Sequence, residues 1–212
     1  PLVRISLVRF FPGPKIRTKR GPPVYTIEAV QVYPQGCKPK TDPDKGTIGT
    51  TQFLEKLQIK VGARVTMIHN VNTIDDLCNG TYGEVIAIEA QGDKVQCIVV
   101  KFDDDISGYA QRQKYHQISD KYKDQNGTPI FRYRHEHDFV STKGYGQTVK
   151  AELLQFPLSL AYAQTAHRMQ GQTVKAESKL VIHWTDRMQT GMAYVMLGRS
   201  SRLQDIYISG EL

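Results

Sequence analysis

Two short apolar runs near the end of the chain, QFPLSLAYA at 155–163 and SKLVIHW at 178–184, constrain its fold more than any other feature. Each is a nearly continuous run of apolar residues, so each reads as a strand covered on both faces, as in a parallel sheet. A polar, helix-like stretch ending at Gly171 follows the first run. After the second, Thr185 is placed to cap a helix in which Met188, Met192, Val195 and Met196 share one side, and DIYIS at 205–209 supplies a closing strand. Strand, helix, strand, helix, strand predicts a parallel sheet in an α/β domain.

Upstream the texture differs. ARVTMIHN (63–70), YGEVIAIEA (82–90) and KVQCIVVKF (94–102) are short β-rich segments divided by Asn79-Gly80 and Gln91-Gly92-Asp93, the pattern of a small β barrel. Alternation along 82–90 is imperfect, because Ile86 and Ile88 fall on the same side as Glu84, so the buried face stays open. The polar tract KYHQISDKYKDQNGTP (114–129) reads as a long loop, and IFRYRHEHDFVS (130–141) as a half-exposed strand. At the start, PLVRISLVRFF reads as a strand followed by an exposed loop carrying Lys15, Arg17, Lys19 and Arg20. VYTIEAVQVY (24–33) reads as one strand, stopped by Pro34 and Gly36.

Composition narrows the function classes. No apolar run approaches the roughly 18 residues of a membrane span, so no membrane partner is expected. The net charge of +7 favours a polyanionic partner. Three widely spaced cysteines, Cys37, Cys78 and Cys97, suit neither a disulfide framework nor a metal knuckle, and point to a reducing compartment. The first residue is Pro1 and no leader pattern follows, so the chain is read as part of a longer polypeptide.

No segment matches the phosphate-cradling GxxxxGK[ST] loop; KGYGQT at 143–148 is glycine-rich but lacks the lysine. In AYAQTAHRMQGQT, the residues Thr165, His167, Arg168, Gln170, Gly171, Gln172 and Thr173 lie in and just after the helix expected to leave a buried strand. Ligands of open α/β sheets bind at that strand end, although taken alone these residues are equally the polar face of a helix. In MLGRSSRLQDIYI, Arg199 stands between the second helix and the closing strand. An arginine fixed there can reach a neighbouring domain's phosphate site and neutralise charge on a transferring phosphoryl group; seen alone it can equally pair with a surface carboxylate. His135 and His137 point to one side of a strand with no third ligand nearby, so no metal site is assigned. Asp103, Asp104 and Asp105 read as an acidic loop, and Trp184 as core.

Taken together, QFPLSLAYAQTAHRMQGQT and AYVMLGRSSRLQDIYI resemble motifs V and VI of superfamily 1B helicases of the petite-integration-frequency and RecD type, approximately PLxxAxAxTxHKxQGQT and YVALSRVRSLxxLYL. KVGARVTMIHN and LCNGTYGEVIAI resemble the stretch opening that family's Src-homology-3-like barrel, which is inserted in the second RecA-like domain. The resemblance covers about 58–102 and 152–209. Arg168 replaces the usual lysine, Gly198 the usual serine, and the second motif VI arginine is displaced to Arg202; divergence of this sort resembles Helitron-type mobile-element helicases.

The resemblance implies an α/β second RecA-like domain, with residues 1–57 as its first part, 58–150 as the inserted barrel and 151–212 as its last part. It implies the C-terminal motor half of an ATP-dependent 5′-3′ DNA helicase. Arg199 would be the arginine finger; Gln170, Gly171 and Gln172 would join it at the γ-phosphate; Thr165, His167 and Arg168 would grip DNA. ATP and Mg2+ would be held mainly by an N-terminal motor domain of the same polypeptide. The other partners would be single-stranded and forked duplex DNA, in the nucleus if the source is eukaryotic and otherwise inside the cell. Two readings compete: a non-catalytic nucleic-acid or peptide-binding module that has lost the motor, and an RNA helicase.

Overall fold

The computed structural model describes residues 7–11, 22–33, 46–48, 51–92, 94–140, 148–165, 179–184 and 191–210. In chain order the strands are β1 (Leu7–Phe11), β2 (Tyr25–Glu28), β3 (Val30–Val32), β4 (Lys56–Ile59), β5 (Arg64–Met67), β6 (Tyr82–Gln91) and β7 (Lys94–Phe102). Helices α1 (Tyr109–Lys114) and α2 (His116–Ser119) and a 3-10 turn (Asp120–Gln125) follow. Next come β8 (Thr128–Ile130), β9 (Tyr133–Val140), β10 (Thr148–Gln155), β11 (Leu158–Leu160), β12 (Ala163–Thr165), β13 (Lys179–Trp184), α3 (Met192–Leu197) and β14 (Ile206–Gly210).

The chain divides into two compact units, residues 22–160 and residues 1–21 with 161–212. In the first, β11, β5, β6, β7 and β8 form an antiparallel sheet in that order. Its core unites Val65, Met67, Val85, Ile98, Val100 and Phe102 with Phe156 and Leu158, and with Ile27, Leu57 and Ile59 of the β2–β4 ribbon. At about 25 cal/mol per Å2 of apolar surface withdrawn from water, such a cluster is the main stabilising term of the unit. The expected strands at 63–70, 82–90 and 94–102 are present. β6 slips register against β7 between Val85 and Ala87 and again between Glu89 and Ala90. The first leaves Ile86 of β6 unpaired, which is why the side-chain alternation of this segment breaks down, and the second leaves Gln96 of β7 unpaired. Gly83 is held close: a Cβ there would lie 2.5 Å from Val100 Cγ1 and 2.6 Å from the Lys101 carbonyl oxygen.

Three expectations need correction in this unit. VYTIEAVQVY is two strands, because Ala29 N–H donates to the Glu55 carbonyl (2.8 Å) and turns the chain from β4, the partner of β2, towards β10, the partner of β3. The run 155–163 is not one strand of a parallel sheet. β10 ends at Gln155, Pro157 has no N–H to donate, β11 pairs antiparallel with β5, and β12 belongs to another sheet. Phe156 and Leu158 are buried because they enter the core shared by this sheet and the β2–β4 ribbon.

The polar tract at 114–129 is helical through α2 and the 3-10 turn, not a loop. The adjoining α1 is capped from outside its own neighbourhood. Asp75 accepts from the N–H groups of Ala110 (2.7 Å) and Gln111 (2.8 Å), and its carbonyl accepts from Gly108 N–H (2.8 Å), a glycine in the left-handed region at φ 78°. No local pattern reveals a cap 35 residues away.

The second unit carries the sheet β12-β1-β13-β14. β13 and β14 are parallel, from Leu180 opposite Ile206 to Trp184 opposite Gly210, whereas β1 is antiparallel to both β12 and β13. The α/β class stands, with a mixed sheet rather than a wholly parallel one. Leu180 and Ile182 are buried, whereas Lys179 and His183 are exposed, so β13 alternates instead of being covered on both faces. α3 starts at Met192 after Gly191, which takes φ 83°, and Met196 is its buried residue. The expected cap Thr185 and the expected apolar position Met188 lie outside the described residues. The boundaries expected after residues 57 and 150 cut through β4 and β10, whereas the compact units part after residues 21 and 160.

Gln155, only 1% exposed, donates through Nε2 to the carbonyls of Ile27 (3.1 Å) and Leu54 (3.2 Å), and its Oε1 accepts from Phe156 N–H (2.9 Å). Gln155→Leu keeps the volume and strands three buried groups, so unfolding in urea should show a loss of about 3 kcal/mol. A loss below about 0.5 kcal/mol would contradict this role.

Candidate nucleotide and DNA site

Arg199 follows α3 directly. Gly198 closes the helix, its N–H bonded to the Tyr194 carbonyl (2.9 Å), and Arg199 N–H bonds to the Met196 carbonyl (3.1 Å). The side chain folds back along the helix and Nε donates to the Val195 carbonyl (2.8 Å). A cation at a helix C-terminus is favoured by the unsatisfied carbonyls there. The residue is half-buried and its backbone is set by the helix end, so the guanidinium is presented from a defined position. Beyond it, Ser200 Oγ donates to the Arg202 carbonyl (3.0 Å), and Arg202 stands 3.6 Å from Asp205, just before β14. The displaced arginine is thus tied to its own turn.

The other sequence-derived site residues are placed only in part. Thr165 ends β12, paired with Leu7 of β1. His167, Arg168, Gln170, Gly171, Gln172 and Thr173 lie outside the described residues.

His135 and His137 do share one side of β9, and their rings stack at 5.9 Å. The fold adds a third neighbour, His69, whose ring centroid is 5.0 Å from that of His135. Phe53 (5.2 Å from His135) and Tyr133 (4.7 Å from His69) complete a row of rings. Among the described residues no three His, Cys, Asp or Glu side chains are arranged to hold a metal ion. Burial holds the His135 imidazole below its ordinary range, and the neighbouring His69 and His137 add to this. Burial lowers His137 likewise, and Asp138 partly opposes it.

Asp103 forms a two-pronged ion pair with Arg64, Asp104 accepts from Ile106 N–H (3.0 Å), and Asp105 accepts from the Asn126 amide (3.1 Å). Asp104 thus organises its own turn, while Asp103 and Asp105 tie that turn to Arg64 and Asn126. Burial pushes the Cys97 thiol up to about 11, which leaves it a packed, unreactive side chain.

Residues 51–88 match the family model "DNA helicase Pif1, 2B domain". Over 158 residues the chain is 27% identical to the ATP-dependent DNA helicase Pif1 of Campylobacter jejuni, covering 73% of this chain and 29% of that protein. The chain is therefore similar to Pif1 DNA helicases over these residues. Its fold is shared with the crystal structure of Bacteroides Pif1 bound to ssDNA, at TM-score 0.57 and 24% identity over 87% of this chain and 34% of that one. It is also shared with Bacteroides Pif1 in complex with ADP-AlF3 and ssDNA, at TM-score 0.56 and 23% identity over 90% of this chain and 35% of that one. The chain thus spans about a third of the length of these Pif1 proteins.

The Pif1 2B match contains β4, β5 and the start of β6, together with His69 and Asp75. Sequence reasoning passed over both residues. An isolated histidine after a strand and an aspartate in a turn carry no local signal; each acquires its role from residues more than 30 positions away.

The histidine row has a consequence for pH. Imidazoles held neutral in the fold titrate below the ordinary value of about 6.5, so the unfolded chain binds more protons as pH falls beneath that value. Stability is full above it and declines towards acid. The thermal midpoint should therefore drop between about pH 7 and pH 5, and His135→Gln should flatten that slope. An identical slope in the variant would contradict the assignment.

Proposed function

We propose that this chain is the C-terminal motor half of an ATP-dependent 5′-3′ DNA helicase. The observation that carries the reading is the order of two features along one chain: a Pif1-type 2B segment at 51–88, then Arg199 at the end of α3, directly before β14. Supporting it are the relative named an ATP-dependent DNA helicase and the Bacteroides Pif1 complex with ADP-AlF3 and ssDNA.

On this reading the unit of residues 1–21 and 161–212 belongs to the second RecA-like domain, and the five-stranded sheet with the β2–β4 ribbon is the Src-homology-3-like insertion. A P-loop domain in the same polypeptide supplies most of the contacts to ATP and Mg2+. The metal ion provides charge neutralisation at the β- and γ-phosphates. Arg199 leaves the Val195 carbonyl and reaches the γ-phosphate when the two domains close. Gln170, Gly171 and Gln172 line the same phosphate, while Thr165, His167 and Arg168 hold the single strand, so that closure shifts the strand by one step. Forked duplex DNA is the substrate to be opened, and the site of action is the nucleus in a eukaryote or the cell interior otherwise.

The test is ATP hydrolysis by a polypeptide carrying this chain together with its P-loop domain, with and without single-stranded DNA. Turnover should be stimulated by the strand, and Arg199→Ala should reduce it by about 10³- to 10⁵-fold while leaving DNA affinity within a factor of about two. Unchanged turnover in the variant removes Arg199 from the chemistry. Strand binding without any ATPase activity favours the non-catalytic module, and a preference for RNA over DNA favours the RNA motor.

A further inference from the structure

The tract joining β7 to β8, outside the Pif1 2B match, surrounds a solvent-open cleft of about 280 Å3. Its walls include Tyr109, Arg112, His116, Asp120, Lys123 and Asn126. Arg112 is held by three oxygens: the carbonyls of Ser107 (2.8 Å) and Asp105 (2.7 Å) and the Thr128 hydroxyl (2.8 Å). All three are neutral. The guanidinium therefore loses conformational freedom without losing charge, and that combination suits a waiting anion. Its Cζ stands 6.0 Å from the centroid of the Tyr109 ring, and Tyr109 remains 60% exposed. Lys123 is exposed and makes no ion pair among the described residues. The cleft thus presents two cations and an open aromatic ring, with Asp120 as a carboxylate on the same wall.

We infer that this cleft takes one nucleotide unit of a single strand, with its phosphate against Arg112 and Lys123 and its base on Tyr109. An inorganic anion would meet Asp120 with nothing for that carboxylate to accept, whereas a nucleotide brings base and sugar donors as well as charge. An exposed aromatic beside a fixed arginine stacks any base whose face is open, and duplex bases are closed to it. The inference rests on the DNA-motor reading above. It adds a strand contact on the β7–β8 tract, away in sequence from Thr165, His167 and Arg168.

The experiment is fluorescence anisotropy of a labelled oligo-dT strand with the 212-residue chain, titrated at several salt concentrations. Tyr109→Ala should weaken binding about tenfold and Tyr109→Phe should leave it nearly intact, since stacking needs the ring and not the hydroxyl. Lys123→Gln should weaken binding and lower the slope of log affinity against log salt by about one. Asp120→Asn should tighten it. Tyr109 and Lys123 are exposed, so both variants test the surface rather than the core. If Tyr109→Ala and Lys123→Gln bind like the parent, the cleft is off the strand's path and the inference falls, while the DNA reading survives. If Tyr109→Phe is as weak as Tyr109→Ala, stacking is refuted. If the parent shows no salt-dependent strand binding, both the inference and the DNA reading fail.

Discussion

One buried side-chain amide fixes the place where the sheets of the first unit converge. Gln155 gathers the carbonyls of Ile27 and Leu54 and the N–H of Phe156, groups drawn from the β2 ribbon, the approach to β4 and the exit of β10. Water cannot replace it at 1% exposure, and in a low-dielectric interior each unmet group would cost about 1–3 kcal/mol. With that junction set, Phe156 enters the core and Leu158 pairs with Met67, so the chain continues along β5 in a fixed register. Asp75 performs the same service for the helical tract. It satisfies two backbone donors of α1 and so docks the segment after β7 onto the stretch that matches the Pif1 2B model.

Both anchors act over long separations in the chain, and this separates what could be read from the sequence from what could not. Strands β5, β6 and β7 were legible because β-branched residues and turn glycines are local signals, and the closing strand β14 for the same reason. The run at 155–163 was not, since apolar continuity is shared by a strand buried on both faces and by a chain that passes from one sheet to the next. Pro157 was the clue to the second. Helices α1 and α2 escaped because polar tracts of six and four residues have no apolar stripe, and α1 is stabilised from a distant loop. Of the site, the position of Arg199 was legible, since it depends only on a helix ending before a strand. The clefts and ring clusters were not, because His69, His135 and His137, or Tyr109, Arg112 and Lys123, become neighbours only once the tertiary fold exists.

Arg199, the finger of the proposed function, is held at the end of α3. Its Nε donates to the Val195 carbonyl at a helix end, and a hydrogen bond from a charged group contributes about 1.5–3 kcal/mol. A phosphate adds a second charge and can accept two parallel guanidinium bonds, so under the proposed role the exchange favours the nucleotide. The backbone bond from Arg199 to Met196 and the turn that Ser200 builds with Arg202 fix the main chain on either side of the guanidinium's stem.

The central claim is that Arg199 contacts a phosphoryl group at its transition state. The most direct measurement is the affinity of the P-loop-bearing polypeptide for ADP with aluminium fluoride, a mimic of the transferring phosphoryl group, compared with ADP alone. The account predicts that Arg199→Ala leaves ADP binding unchanged and weakens binding of the mimic by about 10²-fold or more, since only interactions stronger in the transition state speed the chemical step. Equal affinity of parent and variant for the mimic would contradict it.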